Sequence, residues 1–376
     1  MLRVFCNKEW TVYDWINSES ALNAWISAQA APAVIGLDTE FIRTDTFYAR
    51  LALIQAQIGG RTAVIDAPAL DGHVALAAQL ADPRNVCVMH SASEDLEALS
   101  AILPAGPATL FDTQIAAAMT GFGPGLSYQK LVAALLGVDL PKGETRSDWL
   151  RRPLSPAQLD YAAQDVEHLP QIHAMLTTKL AELDREEWLA EDCRRLVEKV
   201  CRPTPDLQPQ RAYPRAYDWP RESQALLRRV LLWREAKARA LDRPRSWILD
   251  DARVLDLSAH PPREGAELFE RGKGLRALRG PQREELLTVL QAPLTADELD
   301  FAPIPAPPSP ADRRLLTTLR EAVAGIAQSL NLPDGLLCPR RHLESLIAAR
   351  TWPAALEGWR KPLLHDALMA RIDSGS

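Results

Sequence analysis

The chain is poor in several features whose presence would have named a class. No apolar run approaches the roughly 20 residues that a membrane-crossing helix needs, and the amino terminus, MLRVFCNKEW, lacks the apolar stretch of a secretory signal. A soluble, cytoplasmic protein with no membrane partner is the expectation. Cysteine is sparse and scattered: Cys6, Cys87, Cys193, Cys201 and Cys338 are five in number and contain no C-x-x-C pair, which supports neither a disulfide framework nor a cysteine zinc site. The glycines of TGFGPGLS, Gly121, Gly123 and Gly125, are not followed by the GK[ST] of a phosphate loop. An excess of positive charge is missing too. The formal net charge of −6 argues against a uniformly basic nucleic-acid coat.

What is present is length, apolar content and proline. With 376 residues, 47% of them apolar and 24% charged, the chain can bury real cores and divides most naturally into two or three domains. Proline is concentrated in RPTPDLQPQRAYPRAYDWP (202–220) and APLTADELDFAPIPAPPSP (292–310), stretches that forbid continuous helix and read as linkers. Three bodies remain: 1–201, 221–291 and 311–376. In the first, AVIGLDTEF, ARLALIQAQI, TAVIDA and NVCVMH are strand candidates, TLFDT is a short one, and helical patterns take over after residue 112. The pattern predicts an α/β domain with a mixed sheet whose first three strands form a meander. The two later bodies read as all-helical. Each opens with an amphipathic helix and passes through a proline turn, RPRSWILDD and LPDGLLCPR, which suggests a duplicated module.

Carboxylates stand where this fold could gather them. Asp38 and Glu40 lie two apart on a strand and share a face, so they can bind one cation jointly, and a divalent metal would relieve their repulsion. Asp95 begins a helix just after NVCVMH, equally the place for an acid in a first helical turn. Tyr161 and Asp165 are spaced i, i+4 on one helical face, a spacing that ordinary surface pairs also show. Lys142 and Arg146 offer phosphate contacts, and Arg228, Arg229, Arg234 and Lys237 make a basic helix able to hold RNA; salt bridges account for such residues just as simply. Trp149 reads as packing, and His90 as a hydrogen-bonded structural histidine.

The order of these fragments, an acid pair on the first strand, an acid 55 residues later and Y-x-x-x-D on a late helix, resembles the DEDD superfamily of 3′-to-5′ exonucleases. That superfamily's histidine branch has His five residues before the last Asp. Here that position is Asp160, and Tyr161 marks the tyrosine branch. The blocks LDTEFIRTDTFYARLALIQ, HSASEDLEAL, LFDTQIAA and PKGETRSDWLRRPLSPAQLDYAAQDVEHL resemble the ribonuclease D family over most of residues 1–200. The residue before Asp95 is Glu94, where proofreading exonucleases usually carry an aromatic. The helical bodies are similar to HRDC domains, 221–291 more closely than 311–376.

The resemblance implies a ribonuclease H-like exonuclease domain followed by two HRDC-like helical domains. It implies hydrolysis at RNA 3′ ends with release of nucleoside 5′-monophosphates, tRNA precursors as substrate, and two divalent ions per site. Oxygen ligands without a His or Cys cluster favour Mg²⁺ or Mn²⁺. By the same resemblance Asp38, Glu40 and Asp165 hold one ion, Asp38 bridges to the second, Asp95 helps hold that one, and Tyr161 orients the attacking water. A DNA 3′-to-5′ exonuclease is the first alternative, weakened by the lack of a polymerase body or a Walker A motif. A noncatalytic RNA-binding protein is the second.

Overall fold

Alternating apolar residues build a six-stranded sheet in the computed structural model, which describes residues 12–141, 143, 147–273 and 280–374. The strands are β1 (Tyr13–Ile16), β2 (Val34–Ile42), β3 (Arg50–Ile58), β4 (Arg61–Asp66), β5 (Val86–Met89) and β6 (Leu110–Asp112), in the order β1-β4-β3-β2-β5-β6. β3 and β4 are antiparallel across the Gly59-Gly60 turn, while β1 with β4, β2 with β5 and β5 with β6 are parallel. The expected strand neighbours β2, β3 and β4 are adjacent, and the sheet is mixed. The pattern reading missed β1, whose four residues, YDWI, are too short to show a period but pair with Thr62–Ile65 of β4.

Eight helices accompany the sheet: α1 (Glu19–Ser27), α2 (Val74–Ala81), α3 (Ser93–Ala98), α4 (Thr113–Met119), α5 (Tyr128–Leu136), α6 (Pro156–Glu167), α7 (Leu169–Glu182) and α8 (Glu186–Cys201). Their starts follow side-chain chemistry. Ser18, Asp112, Ser127 and Ser155 each accept hydrogen bonds from backbone N–H groups of the first turn they cap, and Ser155 with Gln158 closes a capping box ahead of Pro156. Ile35 and Leu37 of β2 point into the main core with Ile54, Ile65 and Val88. The opposite face of β2 carries Gly36, Asp38 and Glu40.

Two compact units result. One holds the residues up to Ile42, Leu51–Pro203 and Pro310 onward; the other holds Arg43–Arg50 and Thr204–Ser309. In the second unit, helices α9 (Arg221–Ala240), α10 (Arg245–Ile248), α11 (Asp251–Ala259), α12 (Gly265–Arg271), α13 (Pro281–Gln291) and α14 (Ala296–Leu299) surround a core of Leu227, Val230, Ile248, Val254, Leu257 and Leu286. The proline-rich stretches are not free tethers. Gln210 donates to Ala302 O at 2.8 Å, Ile304 N donates to Gln224 at 3.0 Å, and Ala216 and Ile304 are buried against this core. Proline fixes φ and forbids helix, but an extended proline-rich chain still packs.

The carboxy-terminal helices are α15 (Pro310–Ser329), α16 (Asp334–Leu337), α17 (Arg340–Ala349) and α18 (Lys361–Ser374). α15 and α9 both span 20 residues, and α16 and α10 both span four. Asp242 and Asn331 take the left-handed conformation just past their helices, and the following residues, Arg243 and Leu332, donate back to the carbonyls of Ala238 and Ala327. These details are shared by the two helical stretches. The second copy nonetheless is not a separate body, for Leu319, Val323, Leu337 and Trp359 continue the core of the sheet unit. Trp188 stacks on Trp359 at 4.5 Å, and Arg360 forks onto Asp192 at 2.6 and 2.7 Å, a pair in which each side chain is 9% exposed. Arg185 donates to both Met119 O and Leu330 O.

Candidate active site

The face of β2 that carries Asp38 and Glu40 is covered because Gly36 has no side chain. A Cβ there would stand 3.1 Å from Leu169 Cβ and 3.3 Å from Val166 O, so the α6–α7 junction rests directly on the strand. That approach brings Asp165, the residue before Val166, over the acid pair. Tyr128 fixes the same junction: its hydroxyl donates to Gln164 O at 3.3 Å and accepts from His168 N at 3.2 Å. The chain entering α6 is clamped by Arg152, whose guanidinium donates to Asp66, Trp149 O and Ala52 O at 2.5–3.2 Å. Trp149 is buried and stacks on Tyr161 with centroids 6.1 Å apart, so it packs. The backbone of Gly143 also lies against the Tyr161 ring, where a Cβ would fall 1.7 Å from its carbons.

Asp95 arrives from β5 through Ser91, which has φ 60°, into the first turn of α3. Buried Asp112 governs that turn. Its carboxylate accepts from Ser91 N and Ala92 N at 3.2 and 2.9 Å and from Gln114 N and Ile115 N at the start of α4 at 2.8 and 3.2 Å, four donors on one side chain. Across the cleft, Thr39 Oγ1 donates to Asp95 Oδ1 at 2.5 Å, tying α3 to β2 between the two acids of the pair. His90 bonds to Thr113 Oγ1 and to Leu126 O, each at 2.9 Å, a structural role.

Four acids thus face one another, Asp95 buried and Asp38, Glu40 and Asp165 half-buried, and desolvation and mutual charge raise them all. Burial first, then the charges of Asp95, Asp165 and Glu40, push the Asp38 carboxyl well above the usual carboxylate range. Glu40 is pushed up to about 8 by burial and by Asp165 and Asp95. Burial raises Asp165 to about 7, against a hydrogen bond from the Tyr161 hydroxyl that lowers it. Burial raises Asp95 to about 6, against the Thr39 hydrogen bond. Tyr161 is itself raised by burial and by Asp165, Glu40 and Asp38, which leaves its phenol a committed proton donor.

Among the described residues none of these four acids has a cationic partner. The donor set is oxygen only, the choice of a hard divalent cation. Its oxygens are gathered without yet surrounding a point: among the described residues no three acidic, histidine or cysteine side chains form a converged ligand set. Mutual repulsion of close carboxylates opposes convergence, and a cation would reverse its sign. The donor chemistry fits such an ion.

The basic residues of α9 have contacts of their own. Arg229 is bonded to Glu298 at 2.5 Å and to the carbonyls of Val289, Ala292 and Pro293, which end α13. Arg234 is 8% exposed and donates to Leu249 O, to Asp251 and to the Tyr213 hydroxyl. Lys237 pairs with Glu285 at 2.6 Å, and Arg228 donates to Leu207 O at 2.7 Å. These contacts are made within the helical module, at the four positions where the sequence reading expects phosphate contacts. Lys142 and Arg146 lie outside the described residues. Sequence reasoning passed over Asp112, Arg152, Tyr128, Gly36 and Gly143. Only the glycines left a local signal, being small residues beside the two motifs.

A family model described as 3′-5′ exonuclease matches residues 13–181, and one described as HRDC domain matches residues 223–281. Ribonuclease D of Xanthomonas oryzae pv. oryzae is 43% identical over 361 residues, which cover 96% of this chain and 98% of the relative. Ribonuclease D of Pseudomonas paraeruginosa is 34% identical over 369 residues, covering 96% and 97%. Among solved structures, RNase D of Escherichia coli, described as an exoribonuclease involved in structured RNA processing, superposes with a TM-score of 0.85 at 27% identity, covering 96% of this chain and 99% of that one. The likeness to these relatives spans the nuclease and both helical modules, and the chain belongs to the ribonuclease D family of 3′-to-5′ exoribonucleases.

Proposed function

We propose that the protein is a divalent-metal-dependent exoribonuclease that removes nucleoside 5′-monophosphates from RNA 3′ ends, with tRNA precursors as substrate and the cytoplasm as its place of action. The observation that carries the site assignment is the partly buried group of Asp38, Glu40, Asp95 and Asp165, mutually repelling and, among the described residues, without a cation. In this reading the four carboxylates hold two ions, Mg²⁺ or Mn²⁺. When bound, such ions supply Lewis acidity that activates the attacking water and relieves charge on the leaving oxygen. Tyr161 orients that water through its hydroxyl oxygen, which accepts from the water while its own proton is held by Asp165; a phenol raised above its usual range, about 10, is no general base at neutral pH. Asp165 accepts the Tyr161 hydroxyl and sets its direction. Lys142 and Arg146, in the segment beside Gly143, are assigned to phosphate contact. The substrate assignment draws support from the Escherichia coli relative, described as acting on structured RNA.

The test uses matched 5′-labelled RNA and DNA oligonucleotides and a tRNA precursor, with Mg²⁺ or with chelator. A ladder of shortened RNA is expected that vanishes in chelator and in Asp38→Asn. Unchanged cleavage in that variant sinks the site assignment, and equal rates on DNA sink the substrate preference.

A further inference from the structure

The segment that follows the acid-bearing strand, Arg43–Arg50, belongs to the unit built by α9–α14. Its tip is pinned tightly. Asp242 Oδ1 accepts from the backbone N–H of Phe47 and of Tyr48 at 2.9 and 3.0 Å, and Thr46 Oγ1 donates to Tyr48 O at 2.7 Å. Phe47 packs on the helical core with guanidinium carbons of Arg239 and Arg245 each 4.7 Å from its ring centre. Glu235 holds those two arginines, at 2.8 and 2.5 Å. Arg243 donates to Asp45 O at 2.9 Å and lies over the ring of Trp247 at 6.0 Å.

The consequence is a rigid backbone that leaves two aromatic side chains in water, Tyr48 at 49% and Trp247 at 48% exposure. A single exposed aromatic needs no explanation. Three arginines accompany these two, Arg243 over Trp247 and Arg239 and Arg245 on Phe47 next to Tyr48, and although paired with Asp45 and Glu235 their side chains stay 47, 47 and 52% exposed, unlike those of Arg229, Arg234 and Lys237. Bases of any identity stack on such rings, and guanidinium groups take the phosphates between them.

We infer that Tyr48 and Trp247, with Arg239, Arg243 and Arg245, form a binding site for single-stranded RNA, sequence-independent and separate from the carboxylate site. The occupant is nucleic acid and not protein because half-exposed guanidinium groups stand with two flat exposed aromatic faces, which suits phosphate and base together. Tyr48 stands eight residues beyond Glu40 in the chain, on the segment that continues the acid-bearing strand. Rigid presentation lowers the entropy lost on binding. This inference rests on the exoribonuclease reading and extends it to how substrate length is sensed.

The experiment compares wild type, Tyr48→Ala/Trp247→Ala and Tyr48→Phe/Trp247→Phe on a single-stranded RNA dodecamer and a tetramer, with KM and kcat measured for each. Loss of stacking costs about 10- to 100-fold in affinity at such platforms, so the advantage of the dodecamer over the tetramer in KM should collapse by that factor in the alanine pair. The phenylalanine pair, which keeps the ring faces, should restore it. An alanine pair that retains the wild-type length preference overturns the site and leaves the surface to a protein partner. Failure of the phenylalanine pair to rescue also overturns it, because the effect then reflects a disturbed loop. A wild-type protein that hydrolyses neither RNA defeats the exoribonuclease reading itself, an outcome distinct from both.

Discussion

Two charge-dense regions of this molecule use the same residue types to opposite ends. Around α9, every acid that titrates abnormally is lowered: Arg234 and Tyr213 hold Asp251 down, Lys237 holds Glu285 down, and Arg229 takes Glu298 to about 2. Around β2, four acids are raised, by burial and by one another. The first set is closed on itself and builds structure. The second has no cationic partner among the described residues, a condition that folding alone would select against. Charge density is therefore a poor guide to function until the partners are known.

The difference can be broken by single substitutions, and the largest effect is expected at the open site. Asp38→Asn should lower RNA hydrolysis by more than about 100-fold, the scale on which metal sites respond to loss of a supporting group. Its thermal stability in chelator should not fall, because the change removes a source of repulsion. A lower Tm in chelator would place Asp38 among the structural acids. Tyr161→Phe keeps the ring that Trp149 and Gly143 pack against but loses the hydroxyl; kcat should drop by about 10- to 100-fold with KM little moved. An effect on KM alone would contradict the positioning role.

Substitution in the closed region should have the reverse signature. Arg234→Ala leaves Leu249 O and the Tyr213 hydroxyl without their buried donor, a cost of about 1–3 kcal/mol read as a lower Tm, discounted because Asp251 is well exposed. An unchanged Tm would return Arg234 to the pool of RNA-binding residues. The smallest effect concerns pH. Carboxyls whose folded pKa is raised contribute stability that is fully present below their unfolded values near about 4 and is lost as pH rises through the folded ones. For Asp95, Asp165 and Glu40 those folded values are about 6, 7 and 8. In chelator, wild-type stability should decline across that window more steeply than that of Glu40→Gln/Asp165→Asn. Equal slopes would show that the acids are not coupled.

The sequence made the acids themselves legible, because GLDTEF, SEDLEAL and YAAQD put them on recognisable elements at fixed spacings. It could not show what holds them. Asp112 works by accepting N–H groups from Ser91 and Ala92, about 20 positions earlier, and Arg152 by reaching Asp66 and Ala52 on strands formed long before it. The arginines of α9 looked available for the same reason: Lys237 finds Glu285 only after the chain has passed through three further helices, and Arg229 finds Glu298 only after four. The repeat was visible in its proline turns, yet not its division of labour. Where the first copy carries Lys237 and Arg243 next to its cap, the second carries Ile326 and Leu332, and those apolar residues belong to the core of the sheet unit. Hydrocarbon in place of charge at matching positions suits the second stretch to packing in the core of the nuclease unit.

The claim on which the rest depends is that the four acids await a divalent cation. Titration of Mn²⁺ into the metal-free protein, followed by calorimetry at about pH 6 and about pH 8 for wild type and Asp38→Asn, tests it most directly. The account predicts saturable binding that is tighter at the higher pH, where protons no longer compete, and that is abolished or greatly weakened in the variant. Binding of equal strength by Asp38→Asn, or binding indifferent to pH, would contradict it.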